Sequence, residues 1–210
     1  MALVRTTVVD HPLAAERLAT IRDEATDPPD FRRALNELSW LLVYEATREL
    51  AVVETEVRTP LTTTTGLRVD PVPLIVPVLR AGLGMLQAAH TMLPRADVGF
   101  VGLRRNEETL ESEEYVTTVP EDLEGRPVLI LDPMLATGGS LCHAAGNIDH
   151  RNPGRMIVVC VLAAPEGIER VGEAGFDAEI VTASIDERLN EVGFIIPGLG
   201  DAGDRQFGIA

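Results

Sequence analysis

LILDPMLATGGSL, residues 129–141, is the stretch on which the fold turns. Val128 and the three residues after it form an apolar run of strand length, which stops at Asp132 and Pro133. After Thr137, Gly138, Gly139 and Ser140 the apolar residues return at helical spacing. Gly138 and Gly139 let the backbone approach a ligand closely and aim amides at it. Ser140 is expected to open a helix, whose first turn carries orphan N–H groups and a partial positive charge. Ala136, the two glycines and the hydroxyls of Thr137 and Ser140 therefore read as a phosphate cradle. Asp132, just before it, is an acceptor suited to sugar hydroxyls. The Gly-Lys-Ser/Thr ending of the nucleoside-triphosphatase loop is absent, and the glycine spacing does not fit the dinucleotide fingerprint.

Outward from this stretch, strands and helices alternate. Residues 74–79, 97–103, 127–131, 156–162 and 179–183 read as strands, and helices are expected through Leu93, through Ile148 and over 166–174. Toward the N-terminus, residues 13–23 have helical spacing, the Asp27-Pro-Pro-Asp30 run breaks it, and a long helix is expected from Phe31 to about Val53. Residues 54–70 read as a β-arm with Gly66 at its turn. Residues 104–119 are polar and acidic, too long for a simple turn, and the tail 184–210 is glycine-rich without a period. This alternation predicts an α/β fold, a parallel β-sheet flanked by helices, in a single domain over 1–210. Ligands in such sheets sit beyond the carboxyl ends of the strands.

The 210 residues, 45% of them hydrophobic, can bury a sizeable core. No apolar run approaches the ~20 residues of a membrane span, and no secretory leader is evident, so a cytoplasmic protein is expected. Cys142 and Cys160 lack metal-ligand spacing and read as buried free thiols. The four histidines show no metal or triad spacing either. The formal net charge is −15, from 33 acids against 18 basic residues, all of them Arg. Such a chain does not bind a nucleic-acid backbone over a broad face. An acidic, Lys-free surface points to a halophile, where salt screens the charges. GC-rich codon usage accounts for the missing Lys but not for the acid excess.

Three further constellations fall where strands run out. Arg80 ends one strand, with Gly82 and Gly84 opening the turn after it; its fork suits pyrophosphate oxygens. The acidic stretch around Arg105 reads as a solvated loop. The tail GFIIPGLGDAGD (193–204) is too apolar at Phe194, Ile195 and Ile196 for a free end, and its glycines suit a loop around a small planar ligand. Asp186 and Glu187 read as a solvated pair. Arg32 and Arg33 read as a salt-bridged basic pair at a helix start.

The stretch at 132–140 resembles the phosphoribosyl pyrophosphate (PRPP) motif of the phosphoribosyltransferases, and Pro133 after a single acid is similar to the uracil phosphoribosyltransferase branch. PVLRAGLGM (77–85), RNEETLE (105–111), AAPEGI (163–168), TASID (182–186) and GFIIPGLGDAGDRQFG (193–208) resemble that branch in the same order, with YEATREL (44–50) a weaker addition. The resemblance implies a type I phosphoribosyltransferase fold with a β-arm (54–70), a mobile flap (104–119) and a uracil-binding C-terminal hood (184–210). The implied reaction joins uracil and PRPP to give UMP and diphosphate, in pyrimidine salvage. It assigns catalysis to Arg80, Arg105, Asp132 and Asp201. PRPP would be held by these four with Pro133, Met134, Leu135, Ala136, Thr137, Gly138, Gly139 and Ser140. Uracil would be held by Met134, Phe194, Ile195, Gly200, Asp201 and Ala202. Relatives often have Tyr at the positions of Arg104 and Phe194. Mg2+ would bind through PRPP without a direct protein ligand, Arg32 and Arg33 would form a GTP activator site, and the chain would form a homo-oligomer, dimer or tetramer. The rival readings are a catalytically inactive regulator of the same fold and an enzyme acting on another base.

Overall fold

The computed structural model describes residues 4–105 and 112–208, and of Arg105 and Ser112 the backbone only. The chain opens with strand β1 (Arg5–Val8) and helices α1 (Pro12–Arg22) and α2 (Pro28–Ala46), then an antiparallel hairpin of β2 (Val52–Arg58) and β3 (Thr63–Val69). Next come β4 (Leu74–Leu79), α3 (Leu83–Met92), β5 (Val101–Arg105), β6 (Ser112–Thr117), β7 (Val128–Leu131), β8 (Met134–Leu135) and α4 (Gly139–Asp149). They are followed by β9 (Met156–Ala163), α5 (Pro165–Ala174) and β10 (Ala178–Ile185), and the tail adds β11 (Arg188–Leu189), β12 (Ile195–Ile196) and α6 (Ala202–Phe207).

The main sheet has the order β1-β10-β9-β7-β4-β5-β6, with β8 paired to β9. Its pairings are parallel except for the β5–β6 edge. Strand periodicity divides the core in two. Leu129 and Leu131 face a cluster with Phe31, Leu35, Leu38, Leu42 and Met85 from α2 and α3, while Val128 and Ile130 face Leu141, Ala145, Ile148 and Val171 from α4 and α5. Both faces are covered, so a central strand must be apolar at every position rather than at alternate ones. β9, buried along its whole length, is the extreme case.

Several expectations are corrected. The long helix ends at Ala46 rather than near Val53: the Thr47 hydroxyl bonds the carbonyls of Val43 and Tyr44, and the β-branched Val52 and Val53 belong to β2. Asp27-Pro28 does not merely break a helix but starts α2, with Asp27 accepting the Asp30 N–H at 2.9 Å and Pro28 at its first position. The arm spans Val52–Arg58 and Thr63–Val69, and turns at residues 59–62, where the Thr59 hydroxyl accepts the N–H groups of Leu61 and Thr62. Gly66 lies inside β3 opposite Thr55. The strand expected at 97–103 is Val101–Arg105, with a lone bridge from Val98 to Ile75. β1 was not expected at all. α4 begins at Gly139 rather than Ser140. Cys160 is buried, but Cys142 is only half-buried. Among the described residues no helix is long and apolar enough to cross a membrane.

Candidate functional site

Parallel pairing sets the carboxyl ends of β9, β7, β4 and β5 side by side, so the segments that follow them converge. After β7, Asp132 and Pro133 lead into β8, which binds the loop to β9 through Met134 opposite Leu162 and Leu135 opposite Ala163. Gly138 then adopts φ 75° at the start of α4, a left-handed conformation that favours glycine. A Cβ there would also meet the Gly167 carbonyl at 3.1 Å. The Gly139 N–H lies 3.4 Å from the Thr137 hydroxyl. Asp132 is partly open to solvent, and its carboxylate accepts the Met134 N–H at 3.4 Å. Burial nevertheless pushes its carboxyl up to about 7. It is thus poised to be neutral or ionised near physiological pH, depending on what charge arrives beside it.

After β4 comes Arg80, half-exposed, 4.0 Å from Asp204 of α6 and joined to Leu79 by a cis peptide. Gly82 brings this loop against β7: a Cβ on it would fall 2.3 Å from the Leu131 carbonyl. The Arg80 and Asp132 loops are therefore in direct backbone contact. Arg105 ends β5, next to β4 in the sheet, and its side chain and residues 106–111 of the expected flap lie outside the described residues. Arg104 is bound across the hairpin to Glu113 at 3.0 Å. The returning strand β6 is fastened to α4, with Glu114 accepting from Asn147 at 2.8 Å and lying 3.3 Å from His143.

The tail folds over both loops. β11 and β12 form a small hairpin whose Leu189 N–H donates to Glu166 at 2.9 Å, and a Cβ on Gly193 would lie 3.5 Å from the Thr137 methyl. Phe194 is 45% exposed beside this approach. Ile195 is buried, and Gly198 and Gly200 take positive φ. Asp201 is exposed and caps α6 by accepting the Asp204 N–H at 2.8 Å; Ala202 is buried.

Sequence reading missed what pins this tail. Asp186 is buried, not solvated: Arg22 forks onto it at 2.6 and 2.8 Å and also donates to the Gly198 carbonyl at 2.8 Å. Burial alone would raise the Asp186 carboxyl, but the Arg22 fork, the Gly198 N–H and the Ser184 hydroxyl hold it below the ordinary range. Its contribution to stability is therefore present at neutral pH and lost only as acid protonates it below about pH 4. Gln206, fully buried, donates to Ala81 in the Arg80 loop at 3.1 Å and to Ala202 at 2.8 Å. Arg205 stacks 4.5 Å over Phe31 and donates to the Leu199 carbonyl. Arg32 and Arg33 are not a pair sharing one partner: Arg32 donates to the Gln206 carbonyl, whereas Arg33 binds Asp30 at 2.8 Å. The periodic signal in DRQF, an apolar ring following a buried amide, was too short to read as a helix.

The two glycines expected to cradle phosphate differ in their surroundings. A Cβ on Gly139 would meet only the Thr137 hydroxyl at 3.5 Å and Arg170 at 3.7 Å, ordinary contacts. Gly139→Val is therefore expected to melt within about 3 °C of the parent. If residues 136–140 cradle the 5′-phosphate, the valine side chain fills its approach, and calorimetric titration with PRPP is expected to show affinity reduced by at least about tenfold. Unchanged affinity would place the cradle elsewhere.

The chain matches the family model described as Uracil phosphoribosyltransferase over residues 8–209. It is 54% identical over 210 residues to a uracil phosphoribosyltransferase of Streptomyces griseus, covering 99% of this chain and 100% of that one. To one of Beutenbergia cavernae it is 52% identical, covering 98% and 100%. Among solved structures, the AQ2163 protein from Aquifex aeolicus aligns with a TM-score of 0.92 at 43% identity, covering 98% of this chain and 99% of that one. A hypoxanthine-guanine phosphoribosyltransferase from Bacillus anthracis shares the fold, with a TM-score of 0.52 at 13% identity over 76% of this chain and 82% of its own.

Proposed function

The chain belongs to the uracil phosphoribosyltransferase family, and from that we infer that it transfers the phosphoribosyl group of PRPP to N1 of uracil, giving UMP and diphosphate in pyrimidine salvage. The observation that carries this is the match over residues 8–209 combined with the Arg80 and Asp132 loops meeting at the carboxyl edge of one sheet beneath the tail. Turnover of radiolabelled uracil to UMP tests it. No turnover would favour a binding-only regulator, and preference for a purine in a base-competition assay would favour an enzyme for another base.

PRPP carries its own leaving group, so the protein needs no covalent nucleophile. Its residues position and stabilise charge. In this reading residues 136–140 hold the 5′-phosphate with amides and hydroxyls, and Arg80 and Arg105 take the pyrophosphate. Asp132 accepts from the ribose hydroxyls and, once ionised, opposes the positive charge that develops on the ring. Ile195, Gly200 and Ala202 offer main-chain groups to the uracil edge, Phe194 covers its face, Met134 lines the same pocket, and Asp201 faces the ribose. Among the described residues no three His, Cys, Asp or Glu side chains cluster to hold a metal ion, a donor set that suits a cation carried by substrate rather than caged by protein. Mg2+ carried in with PRPP would supply charge neutralisation at the pyrophosphate.

In this reading the arm (54–70), the flap (104–119) and the hood (184–210) belong to one domain. The arm exposes Val52, Val53, Val57, Leu61 and Leu67, which supports burial against further copies of the chain in a dimer or tetramer. GTP activation through Arg32 would act on the tail, because Arg32 holds the Gln206 carbonyl.

A net charge of −15 also bears on conditions. The Debye length falls from ~10 Å at 0.1 M to ~3 Å at 1 M, and the folded state crowds its acids more than the unfolded chain does. The melting temperature is expected to rise between 0.1 M and 2 M potassium chloride, with activity retained. A flat or falling melting temperature would leave codon usage as the explanation of the missing lysines.

A further inference from the structure

Arg170, on α5, has no salt-bridge partner among the described residues, although the chain carries 33 acids for 18 arginines. Among the described residues its side chain makes one hydrogen bond, from Nη1 to the Thr137 carbonyl, at 3.4 Å a long one. The side chain lies along the phosphate loop. A Cβ on Gly138 would sit 3.3 Å from its Cβ and 3.4 Å from its Cδ, so the stem packs on that glycine. A Cβ on Gly139 would sit 3.7 Å from Nη1 and 4.0 Å from Cζ, so the guanidinium hangs over the first turn of α4. The other donors of this cradle, backbone amides and the hydroxyls of Thr137 and Ser140, are neutral.

We propose that Arg170 is the cation of the 5′-phosphate subsite, turning from the Thr137 carbonyl to the phosphate oxygens when PRPP binds. The proposal rests on the reading of residues 136–140 as the 5′-phosphate cradle. The physical ground is the contrast between partners. A charge-assisted bond from guanidinium to phosphate is about twice as strong as one to a neutral carbonyl, and Arg presents its donors in a fork that fits two phosphate oxygens. The side chain is exposed, so the exchange needs no repacking. It also answers an electrostatic problem: an acidic protein repels a polyanionic substrate, and Arg80 and Arg105 serve only its pyrophosphate end. Arg170 supplies the matching charge at the other end, which fixes the direction in which PRPP lies.

The test uses ribose 5-phosphate and pyrophosphate as competing ligands of the full-length enzyme, with Arg170→Gln and Arg170→Lys. Arg170→Gln is expected to raise the KM for PRPP and the inhibition constant of ribose 5-phosphate about five- to tenfold, the scale of one charge-assisted contact. The inhibition constant of pyrophosphate and the KM for uracil should stay within about twofold, and Arg170→Lys should recover part of the loss. An unchanged constant for ribose 5-phosphate would overturn the proposal. So would an equal weakening of pyrophosphate, which would mark Arg170 as a support of the loop alone. A parent enzyme that makes no UMP would count against the assigned reaction instead, and direct titration of ribose 5-phosphate into parent and variant would still decide the role of Arg170.

Discussion

Asp132→Asn is expected to yield a protein that is more stable than its parent at pH 7.5 and at least about a hundredfold slower. The two effects share one cause. The Asp132 carboxyl is pushed up to about 7 by burial, against about 3.9 in an unfolded chain. A group whose pKa is raised on folding contributes stability that is complete below the unfolded value and is lost as pH rises through the folded one. Above pH 7 the native state must therefore hold a poorly solvated carboxylate. With the group still partly open to solvent, the cost comes to about 2 kcal/mol. Asn removes that cost and can still accept the Met134 N–H. The difference in melting temperature between variant and parent should be near zero at pH 4, widen through pH 6 and level off above pH 7. On the role proposed for Asp132, turnover falls because the neutral amide cannot balance the positive charge on the ribose ring. A variant equally slow but no more stable at pH 7.5 would mean that solvent reaches the carboxylate fully. A variant with parental turnover would remove Asp132 from the chemistry.

What could be read from sequence was local. An apolar run, an acid, a glycine turn and a helical period lie within residues 128–148, and the resulting strand-loop-helix unit stands where it was expected, displaced only by Gly139 opening the helix. The same holds for Arg80 at the end of β4. The misreadings have a common origin in distance or in hydroxyl chemistry. Asp186 looked solvated because its partner, Arg22, is 164 residues away. Gly66 looked like the turn of the arm because glycine is the usual marker, yet Thr59 closes the turn with its own hydroxyl, accepting the N–H groups of Leu61 and Thr62. Val52 and Val53 continued the helical spacing of α2, and only their branching at Cβ distinguished them. Arg170 carried no mark at all: an Arg on an exposed helix face gains meaning only once the chain has brought Gly138 and Gly139 beside it.

Gly82→Ala should be as damaging to activity as the loss of a charged group, although it adds one methyl and removes nothing. The backbone at Gly82 has φ −61°, a conformation open to any residue, so the objection is purely steric. A Cβ there would stand 2.3 Å from the Leu131 carbonyl, 2.7 Å from the Val78 carbonyl and 2.8 Å from the Val78 nitrogen. All three are backbone atoms of the adjacent strands β7 and β4, which cannot rotate away as a side chain would. Gly82 also donates its N–H to Val78 at 2.9 Å, so the loop is held against the strand it would have to leave. Overpacking of this kind costs about 2 kcal/mol, or about 5 °C in melting temperature for a chain of this length. Relief has to come from the Arg80 loop lifting off β7, since both strands are locked in the centre of the sheet. That movement would carry Arg80 away from the pyrophosphate it is proposed to hold and strain the Gln206 bond to Ala81, loosening the tail at the same time. A displacement of about 1 Å at a positioning group costs about a hundredfold in rate. The expected result is therefore a folded protein whose kcat/KM for PRPP is reduced about a hundredfold. Gly139→Ala, where a Cβ meets only ordinary contacts, should melt like the parent. Parental kinetics in Gly82→Ala would mean that the loop absorbs the methyl without moving Arg80, and the close approach to Leu131 would then have no part in placing the pyrophosphate.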